Sequence, residues 1–381
     1  MELTPLHRHL WHRAFWALSF AALLLTVAEY VELATFCKLV QTDAPTQLIL
    51  LAAYGVGLFL WGCRVSFLVQ RHRRNQVCLI SMLIFAAIAC LLGYFKPTNP
   101  TLLILLRLAS GITYGLSQMI ICSTLAIDIC QNTYRTEANL MIAWFRRFGA
   151  VLGLIAITLL LQWNTQLVQW VGIDIHPLYV AGALSLLAVA LICTIELPFK
   201  SPEDDYPAVS FDRFLLPKEW LQFFVVAAIT AIMSIYCQNL LRLDALAALF
   251  CGILTAYIFE HVIGWHISHR LYPFCGFLLL AGGMLMNRCA VFGSSKMLYD
   301  ISFLAIGMIG MGFAMMLSSI LLQMTSRSDH CQRGTAQSTF FLATETGIIA
   351  GLMLPNIFAL YALLAFVFAY LFIHLLYKKL Q

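Results

Sequence analysis

The stretch Leu102–Ile127 reads LLILLRLASGITYGLSQMIICSTLAI, and it is long and apolar enough to cross a bilayer as one helix. Its single charged residue is Arg107. A charge at membrane depth is costly unless it is paired or hydrated, so such a residue usually marks a pathway for ions or substrates. Gly111 and Gly115 are four residues apart, a spacing that lets a neighbouring helix backbone approach closely. The stretch therefore predicts a membrane-spanning helix that carries a polar site.

The composition extends this prediction to the rest of the chain. The 381 residues are 61% hydrophobic and 11% charged, with a mean hydropathy of +0.86, whereas a soluble domain carries about 25% charged residues. A spanning helix needs about 20 apolar residues. We find twelve candidate segments, at 14–36, 48–69, 76–95, 102–128, 139–161, 177–197, 219–241, 245–267, 271–288, 297–323, 334–354 and 356–377. We therefore predict an all-α integral membrane protein with twelve transmembrane helices.

The longest polar stretch, Leu197–Lys218, divides the twelve segments into six and six. It contains four prolines and the acidic run Glu203-Asp204-Asp205, which are typical of a solvated linker. We predict a six-helix bundle over residues 1–197, a cytoplasmic linker over 198–218 and a second six-helix bundle over 219–381.

Basic residues are distributed unevenly among the predicted loops. With the N-terminus inside, most of the 23 Lys and Arg residues fall in cytoplasmic loops or at cytoplasmic helix ends, and Arg146 and Arg147 are assigned there. The positive-inside rule then places both termini in the cytoplasm. The net charge of +5 reflects this topology, since the loops are too short to house a nucleic-acid-binding domain or a soluble enzyme.

Four motifs resemble those of the major facilitator superfamily. Ser66–Val77, SFLVQRHRRNQV, resembles in part the basic loop G-x-x-x-D-R-x-G-R-[RK] of that family, with Ser and Gln in place of its first Gly and its Asp. Arg107–Gly115 resembles the fourth-helix motif R-x-x-x-G-x-x-x-G. Arg333–Ser338, followed by Glu345–Gly351, resembles the eleventh helix of bacterial efflux-type members. Gly149–Gly153 resembles the antiporter motif without its characteristic proline.

This resemblance implies two pseudo-symmetric six-helix bundles that rock around a cavity near the membrane midplane. It further implies a multi-pass protein of a bacterial inner membrane that is similar to drug/proton antiporters. The partners expected on this basis are a small-molecule substrate, protons and the lipid bilayer, with no nucleic acid, no cofactor and a monomeric state. The sequence contains no Walker motif, so the energy for transport has to come from an ion gradient or from the substrate's own gradient.

The charged residues in the predicted spans indicate where protons are coupled. Glu29 and Glu32 share one face of the first segment, in its outer half, and Arg107 lies at a matching depth, so an ion pair is feasible. Burial favours a neutral carboxyl and a nearby arginine favours a charged one, which together make a protonation switch. We predict that Glu29 takes and releases the proton as Arg107 approaches and withdraws; the alternatives are a static structural pair, or Glu32 reaching the outer headgroups. Glu345, in the eleventh segment, is a second proton or substrate site, or a partner for another polar group.

Three further sets of residues are assigned from their positions. Tyr30, Tyr114 and Gln118 are predicted to line the substrate cavity, the tyrosines because they adjoin Glu29 and Arg107. The inner gate is predicted to contain Arg64, Arg71, Arg74 and Asp128, with Arg64 and Asp128 as an ion pair at the cytoplasmic helix ends. The glycines predicted to mediate close helix packing are Gly111, Gly115, Gly149 and Gly153. No metal site is predicted, although Glu260 stands beside three histidines, His261, His266 and His269.

Secondary transport is the favoured interpretation, most directly proton-coupled export of an amphipathic small molecule. The alternative within transport is a proton-coupled symporter for a small organic anion, in which Arg107 binds the substrate. An integral membrane enzyme that modifies lipids, such as a transferase, is the competing class. That class needs a nucleophile and base or a metal at the interface, and the candidate residues do not converge, so no enzyme activity is predicted.

Overall fold

The structure is a computed structural model that describes residues 9–39, 44–95, 99–171, 176–195, 207–211, 213–238, 242–262, 271–291, 296–329, 332–354 and 357–377. Twelve long helices, α1–α12, run through these ranges. They are α1 Arg13–Leu39, α2 Ala44–Leu60 continued by Val65–Arg71, α3 Arg74–Phe95, α4 Pro100–Ile120 continued to Asp128, α5 Arg135–Val171, α6 Pro177–Cys193, α7 Trp220–Cys237, α8 Leu243–Val262, α9 Leu271–Val291, α10 Lys296–Arg327, α11 Arg333–Met353 and α12 Ile357–Tyr377.

The length and apolar character of the helices confirm the predicted fold class. Within the described ranges, eight helices are long and apolar enough to cross a membrane, and Pro177–Cys193 and Ala359–Ile373 are shorter apolar helices. The helix bounds differ from the hydropathy pattern mainly where polar residues extend a helix beyond its apolar centre. The fifth segment, for example, is predicted at 139–161, whereas α5 also includes polar turns at both ends.

Two helices contain local interruptions that matter for the site. α2 is broken by a 3₁₀ turn at Gly62–Arg64, and α4 contains a π-helical turn at Ile121–Leu125, a feature that often lies at functional positions. The start of α4 is fixed by its sequence, because Pro100 suits the first helical position and the Asn99 side chain accepts a hydrogen bond from the Thr101 amide at 3.0 Å.

The contacts divide the chain into two compact units. The first unit comprises Met1–Glu219 and Thr325–Leu342, and the second comprises Trp220–Met324 and Ala343–Gln381. The stretch 325–342, which the sequence assigns to the C-terminal bundle, thus has its contacts in the first unit. The domain limits at 197 and 218 remain predictions.

In the first unit, α1 packs against α5 and α6, α2 packs against α4, and α3 packs against α4 and α6. The α2–α4 crossing is close because Gly111 faces the Tyr54 carbonyl and Gly57, and Gly115 faces Leu58. The α1–α5 crossing uses the second predicted pair of glycines. A methyl group on Gly149 would lie 2.8 Å from the carbonyl oxygen of Leu23, and one on Gly153 would lie 3.0 Å from that of Val27. These distances leave no room for a side chain.

Glycines also mark the helix crossings inside the second unit. Gly252 of α8 faces Gly307 of α10, and Gly276 of α9 faces Gly312 of α10. Gly347 of α11 lies against Ala227 of α7. The Ser234 hydroxyl of α7 donates a hydrogen bond to the Ile348 carbonyl at 2.9 Å, which ties the same two helices together.

Candidate functional site

A buried ion pair joins α1 and α4 in the first unit. Nη1 of Arg107 donates a hydrogen bond to Oε1 of Glu32 at 2.7 Å, and the Ser110 hydroxyl donates to the same oxygen at 2.8 Å. All three side chains are completely buried. Arg107 and Ser110 are three residues apart on α4, so one helix face presents both donors to the carboxylate.

Aromatic rings from two other positions cover the guanidinium. Cζ of Arg107 lies 4.4 Å from the ring centroid of Phe36 on α1 and 4.6 Å from that of Tyr54 on α2. Both rings are buried. Cation–π contacts of this kind attract a guanidinium group and stabilise it where water is scarce. The cluster therefore holds a full charge inside the protein and away from lipid.

The ion pair is not saturated with hydrogen bonds. Oε2 of Glu32 and the Nε and Nη2 atoms of Arg107 form no hydrogen bond with any residue that the structure describes. Buried polar atoms almost always have partners, so these three atoms retain capacity for further hydrogen bonds.

The structure places the two other predicted coupling residues at buried positions. Glu29 lies on α1 one turn before Glu32 and is also fully buried, but Glu32 is the carboxylate that accepts the Arg107 hydrogen bond. Because Glu32 is enclosed by protein, the alternative in which it reaches the outer headgroups is wrong. Glu345 is buried on α11 in the second unit, two residues from Gly347, which packs against α7.

The predicted cavity residues have three different environments. Tyr114 is buried, and its ring centroid lies 5.8 Å from that of Phe85 and 6.0 Å from that of Phe341. Gln118 links α4 to α1, since its Nε2 donates to the Thr26 hydroxyl at 3.1 Å. Tyr30 is half-buried, with its Cβ beside Gly153 of α5.

The predicted ion pair between Arg64 and Asp128 is corrected by the structure. Asp128, at the end of α4, pairs with Arg74, the first residue of α3. Arg64 lies in the 3₁₀ turn that interrupts α2, so the regular α-helical spacing does not apply to it. Its side chain is exposed, and its guanidinium lies 5.4 Å from the Trp61 ring centroid. Arg71 is also exposed, with its guanidinium 5.4 Å from the Phe67 ring centroid.

Two buried arginines on α5 were missed, because the positive-inside count assigns Arg146 and Arg147 to a cytoplasmic helix end. Both are buried, at 6% and 8% exposure. Cζ of Arg146 lies 4.3 Å from the ring centroid of Phe341, and Cζ of Arg147 lies 4.6 Å from that of Trp144. They are about three turns into α5, and this position within a continuous apolar helix was the available signal.

No group of three or more His, Cys, Asp or Glu side chains that could hold a metal ion occurs within the described ranges. His266 and His269 lie outside those ranges, as does the acidic run 203–205. Free cysteines are scattered through the described part of the chain, among them Cys63, Cys90 and Cys251.

Comparison with known proteins gives the family. The sequence model of the Major Facilitator Superfamily matches residues 14–352. No curated protein sequence matches the chain.

Among solved structures, a mutant of the nucleoside transporter NupG is similar with a TM-score of 0.59 and 14% identity, covering 95% of this chain and 98% of that one. A mutant of the E. coli fucose:proton symporter FucP has a TM-score of 0.59 and 14% identity, over 93% and 98% of the two chains. A bacterial homologue of the human lysosomal transporter Spinster has a TM-score of 0.58 and 14% identity, over 89% and 80%. At this identity, the likeness concerns the fold. The match of the family model over most of the chain shows that this multi-pass membrane protein belongs to the Major Facilitator Superfamily, a family of secondary transporters.

Proposed function

We propose that this protein is a proton-coupled exporter of an amphipathic small molecule and that Glu32 carries the coupling proton. The observation that supports this proposal is the buried cluster of Glu32, Arg107 and Ser110, with its 2.7 Å ion pair. The cluster combines a titratable carboxylate, a fixed cation and open hydrogen-bonding capacity.

Protonation of Glu32 changes the electrostatics of the cluster. A neutral carboxyl loses its Coulomb attraction to Arg107, which is strong at low dielectric. The guanidinium is then a buried cation without a counter-charge from Glu32, a costly arrangement. A conformation in which Arg107 meets water, cargo or Glu29 becomes favoured instead. Protonation thereby biases one state of the transporter over the other.

The direction of transport in this proposal comes from the sequence. Arg333–Ser338 and Glu345–Gly351 resemble efflux-type members, and Gly149–Gly153 resembles the antiporter motif. Proton coupling itself has a parallel in the fucose:proton symporter FucP, whose structure is similar to that of this chain. Antiport and symport can use the same proton site. Cargo and proton move in opposite directions in antiport and in the same direction in symport, so one experiment separates the two.

The test is transport in proteoliposomes with pH gradients of both signs. The purified protein is given a panel of amphipathic compounds while an internal dye reports pH. A gradient of one pH unit drives about tenfold accumulation per coupled proton. Under antiport the cargo accumulates in vesicles that are acidic inside, and under symport it accumulates in vesicles that are acidic outside.

Variants assign the proton to one carboxylate. Glu32→Gln should still exchange cargo between the two sides but should no longer respond to the gradient. Glu29→Gln and Glu345→Gln are compared under the same conditions, and Glu137→Gln is a matched control because Glu137 is exposed at the start of α5. Full pH-driven transport by Glu32→Gln, with loss in Glu29→Gln or Glu345→Gln, would move the proton site to that residue.

The topology remains a proposal with its own test. We infer that both termini and the 198–218 linker face the cytoplasm of a bacterial inner membrane, from the distribution of Lys and Arg. A C-terminal fluorescent protein that folds only in the cytoplasm should be bright, and a C-terminal phosphatase that is active only in the periplasm should be silent. The opposite result would mean that the chain crosses the membrane an odd number of times and not twelve.

A further inference from the structure

Two exposed arginines lie on one side of the last part of α2. Arg64 and Arg71 are seven residues apart, which is almost two helical turns, and both are exposed. Each guanidinium lies over an aromatic ring one turn earlier. Cζ of Arg64 is 5.4 Å from the ring centroid of Trp61, and Cζ of Arg71 is 5.4 Å from that of Phe67. These four residues form a stripe, here called the arginine–aromatic stripe, in which rings and guanidinium groups alternate.

The arginine–aromatic stripe lies where the hydrocarbon of a bilayer ends. It closes the candidate membrane span Pro45–Arg71. Arg64 is about 29 Å from Pro45 along this helix, and the hydrocarbon core is about 30 Å thick. Arg71 is about 10 Å farther, at the level of the head groups and the adjoining water. Val56 and Leu60, in the turns before the stripe, are 55% and 51% exposed, so the same end of α2 also has apolar side chains open to lipid.

The linker adds two exposed apolar side chains beside Arg64. The Ser210 amide donates a hydrogen bond to the Cys63 carbonyl at 2.9 Å, which joins the linker to the 3₁₀ turn of α2. Val209 and Phe211, on either side of Ser210, are 55% and 54% exposed. The linker therefore presents apolar surface next to the first guanidinium of the stripe.

Phe214 fixes the position of this part of the linker. Its ring fills the space over Gly62, where any Cβ would overlap it, and its centroid lies 6.1 Å from that of Phe59. Phe214 is itself only 4% exposed. Two residues later, the Leu216 amide donates a hydrogen bond to the Thr339 hydroxyl at 2.8 Å. The exposed residues at 209 and 211 thus belong to a segment that is held against the helices at both ends.

The arginines of the stripe differ from their neighbour Arg74. Arg74 forms an ion pair with Asp128. Among the residues that the structure describes, no carboxylate forms an ion pair with Arg64 or Arg71. Both guanidinium groups can therefore accept an anion from outside the chain.

We propose that the arginine–aromatic stripe, together with Val209 and Phe211, binds an anionic phospholipid of the cytoplasmic leaflet. Guanidinium groups bind phosphate oxygens through paired N–H donors. Aromatic side chains are favoured at the depth of the head groups, and the two linker residues offer apolar contacts to the acyl chains. A soluble anion would use only the guanidinium groups, so the apolar surface and the membrane depth select a lipid. The choice of leaflet follows from the topology proposed above.

The test counts the lipids that stay bound to the purified full-length protein in native mass spectrometry from detergent. Dioleoyl phosphatidylglycerol carries one net negative charge, and dioleoyl phosphatidylcholine has the same acyl chains without net charge. We expect the anionic lipid to bind about fivefold more tightly or better, because each arginine near the membrane surface attracts it. Raising ammonium acetate from about 0.05 M to about 0.5 M should reduce this preference, because salt screens exposed charges. Glycerol 3-phosphate, which has no acyl chains, should not displace the lipid at equal concentration.

Variants connect the binding to the two arginines. Arg64→Gln and Arg71→Gln should each weaken phosphatidylglycerol binding about fivefold, and the double variant should weaken it about 25-fold if the two effects are additive. Arg→Lys at either position keeps the charge and should retain most of the affinity. Arg327→Gln is the matched control, since it removes an exposed arginine from the end of α10 in the same unit. Size exclusion confirms that each variant is folded, and the Lys variant serves as the test wherever the Gln variant is not.

A further variant tests the apolar part of the site. Phe211→Ser should weaken the binding of both lipids about threefold or more, because it removes exposed apolar surface and no charge. The preference for phosphatidylglycerol should remain in this variant.

Three results would overturn the lipid site: equal affinity for the two lipids, unchanged phosphatidylglycerol affinity in the double arginine variant, or displacement of the lipid by glycerol 3-phosphate. Lipid binding in detergent involves neither cargo nor a gradient. Its failure would therefore leave proton-coupled transport intact, and a failure of proton coupling would leave the lipid site intact.

Discussion

Arg107 and Glu32 are 75 positions apart in the sequence and form a buried ion pair with 2.7 Å between Nη1 and Oε1. The pair fastens α4 to α1 at a point where both side chains are enclosed by protein. Its two charges depend on each other, because each would be a buried charge without the other.

Removing one member of this pair should destabilise the protein more than removing both. Arg107→Ala should cost about 3–5 kcal/mol, since it leaves the Glu32 carboxylate buried without its cation. The double variant Glu32→Leu with Arg107→Met should recover most of that loss, because apolar side chains of similar volume replace the pair. Thermal unfolding in detergent measures the stability of both variants. A double variant as unstable as Arg107→Ala would show that the loss of stability comes from packing and not from charge.

A methyl group at Gly111 should prevent the close approach of α4 and α2. A Cβ there would overlap the carbonyl oxygen of Tyr54, which belongs to a helix backbone and cannot yield easily. Gly111→Ala should therefore lower the folded yield and the melting temperature. Gly282→Ala is the matched control, since a Cβ at Gly282 meets no atom within 4 Å; both are scored by fluorescence-detected size exclusion. Equal yields for the two variants would contradict the close crossing.

The ion pair between Arg74 and Asp128 should respond to charge reversal and recover when the charges are exchanged. Its side chains are 12% and 27% exposed, so we expect a contribution of about 1 kcal/mol. Arg74→Asp should destabilise the protein because it places two acidic side chains together. The double variant Arg74→Asp with Asp128→Arg, in which the two charges are exchanged, should regain part of the stability. Arg64→Asp should have a smaller effect, because Arg64 is exposed. A larger effect of Arg64→Asp would instead support the Arg64–Asp128 ion pair predicted from the sequence.

Cys130, in the connection between α4 and α5, should react slowly with alkylating reagents. Burial raises the pKa of its thiol to about 12, with Arg135 opposing and Glu137 adding to the shift. The thiol is therefore almost entirely neutral at neutral pH, where the reactive thiolate is scarce. Alkylation of the Cys130 peptide, followed by mass spectrometry, should rise about tenfold per pH unit in the alkaline range. A rate that is already maximal near neutral pH would show that Cys130 is accessible and unshifted.

The positions of the helices could be predicted because the signal for them is local. The bilayer requires about 20 consecutive apolar residues, and eight helices within the described ranges meet that requirement, including the one that contains Arg107. The glycine spacings on α4 and α5 are also local, and in the structure each of these glycines lies against a neighbouring helix.

The partners of the charged residues could not be predicted in the same way. Glu29 and Glu32 share one face of α1, and the sequence does not record which of them meets α4; a rotation or shift of one helix by a single turn decides it. Similarly, Arg64 is exposed at the break in α2, and Asp128 forms its ion pair with Arg74. The burial of Arg146 and Arg147 depends on the start of α11, which lies almost 200 residues away along the chain.

The sequence by itself determined the fold class, an all-helical membrane protein, because solvation by lipid acts on each segment separately. It also determined that charges lie at membrane depth. The tertiary structure decided which charges meet, since an ion pair depends on the rotation, depth and crossing of two helices at once. The pairing of Glu32 with Arg107, and the contacts of Arg146 and Arg147 with Phe341 and Phe340, are therefore properties of the packed helices.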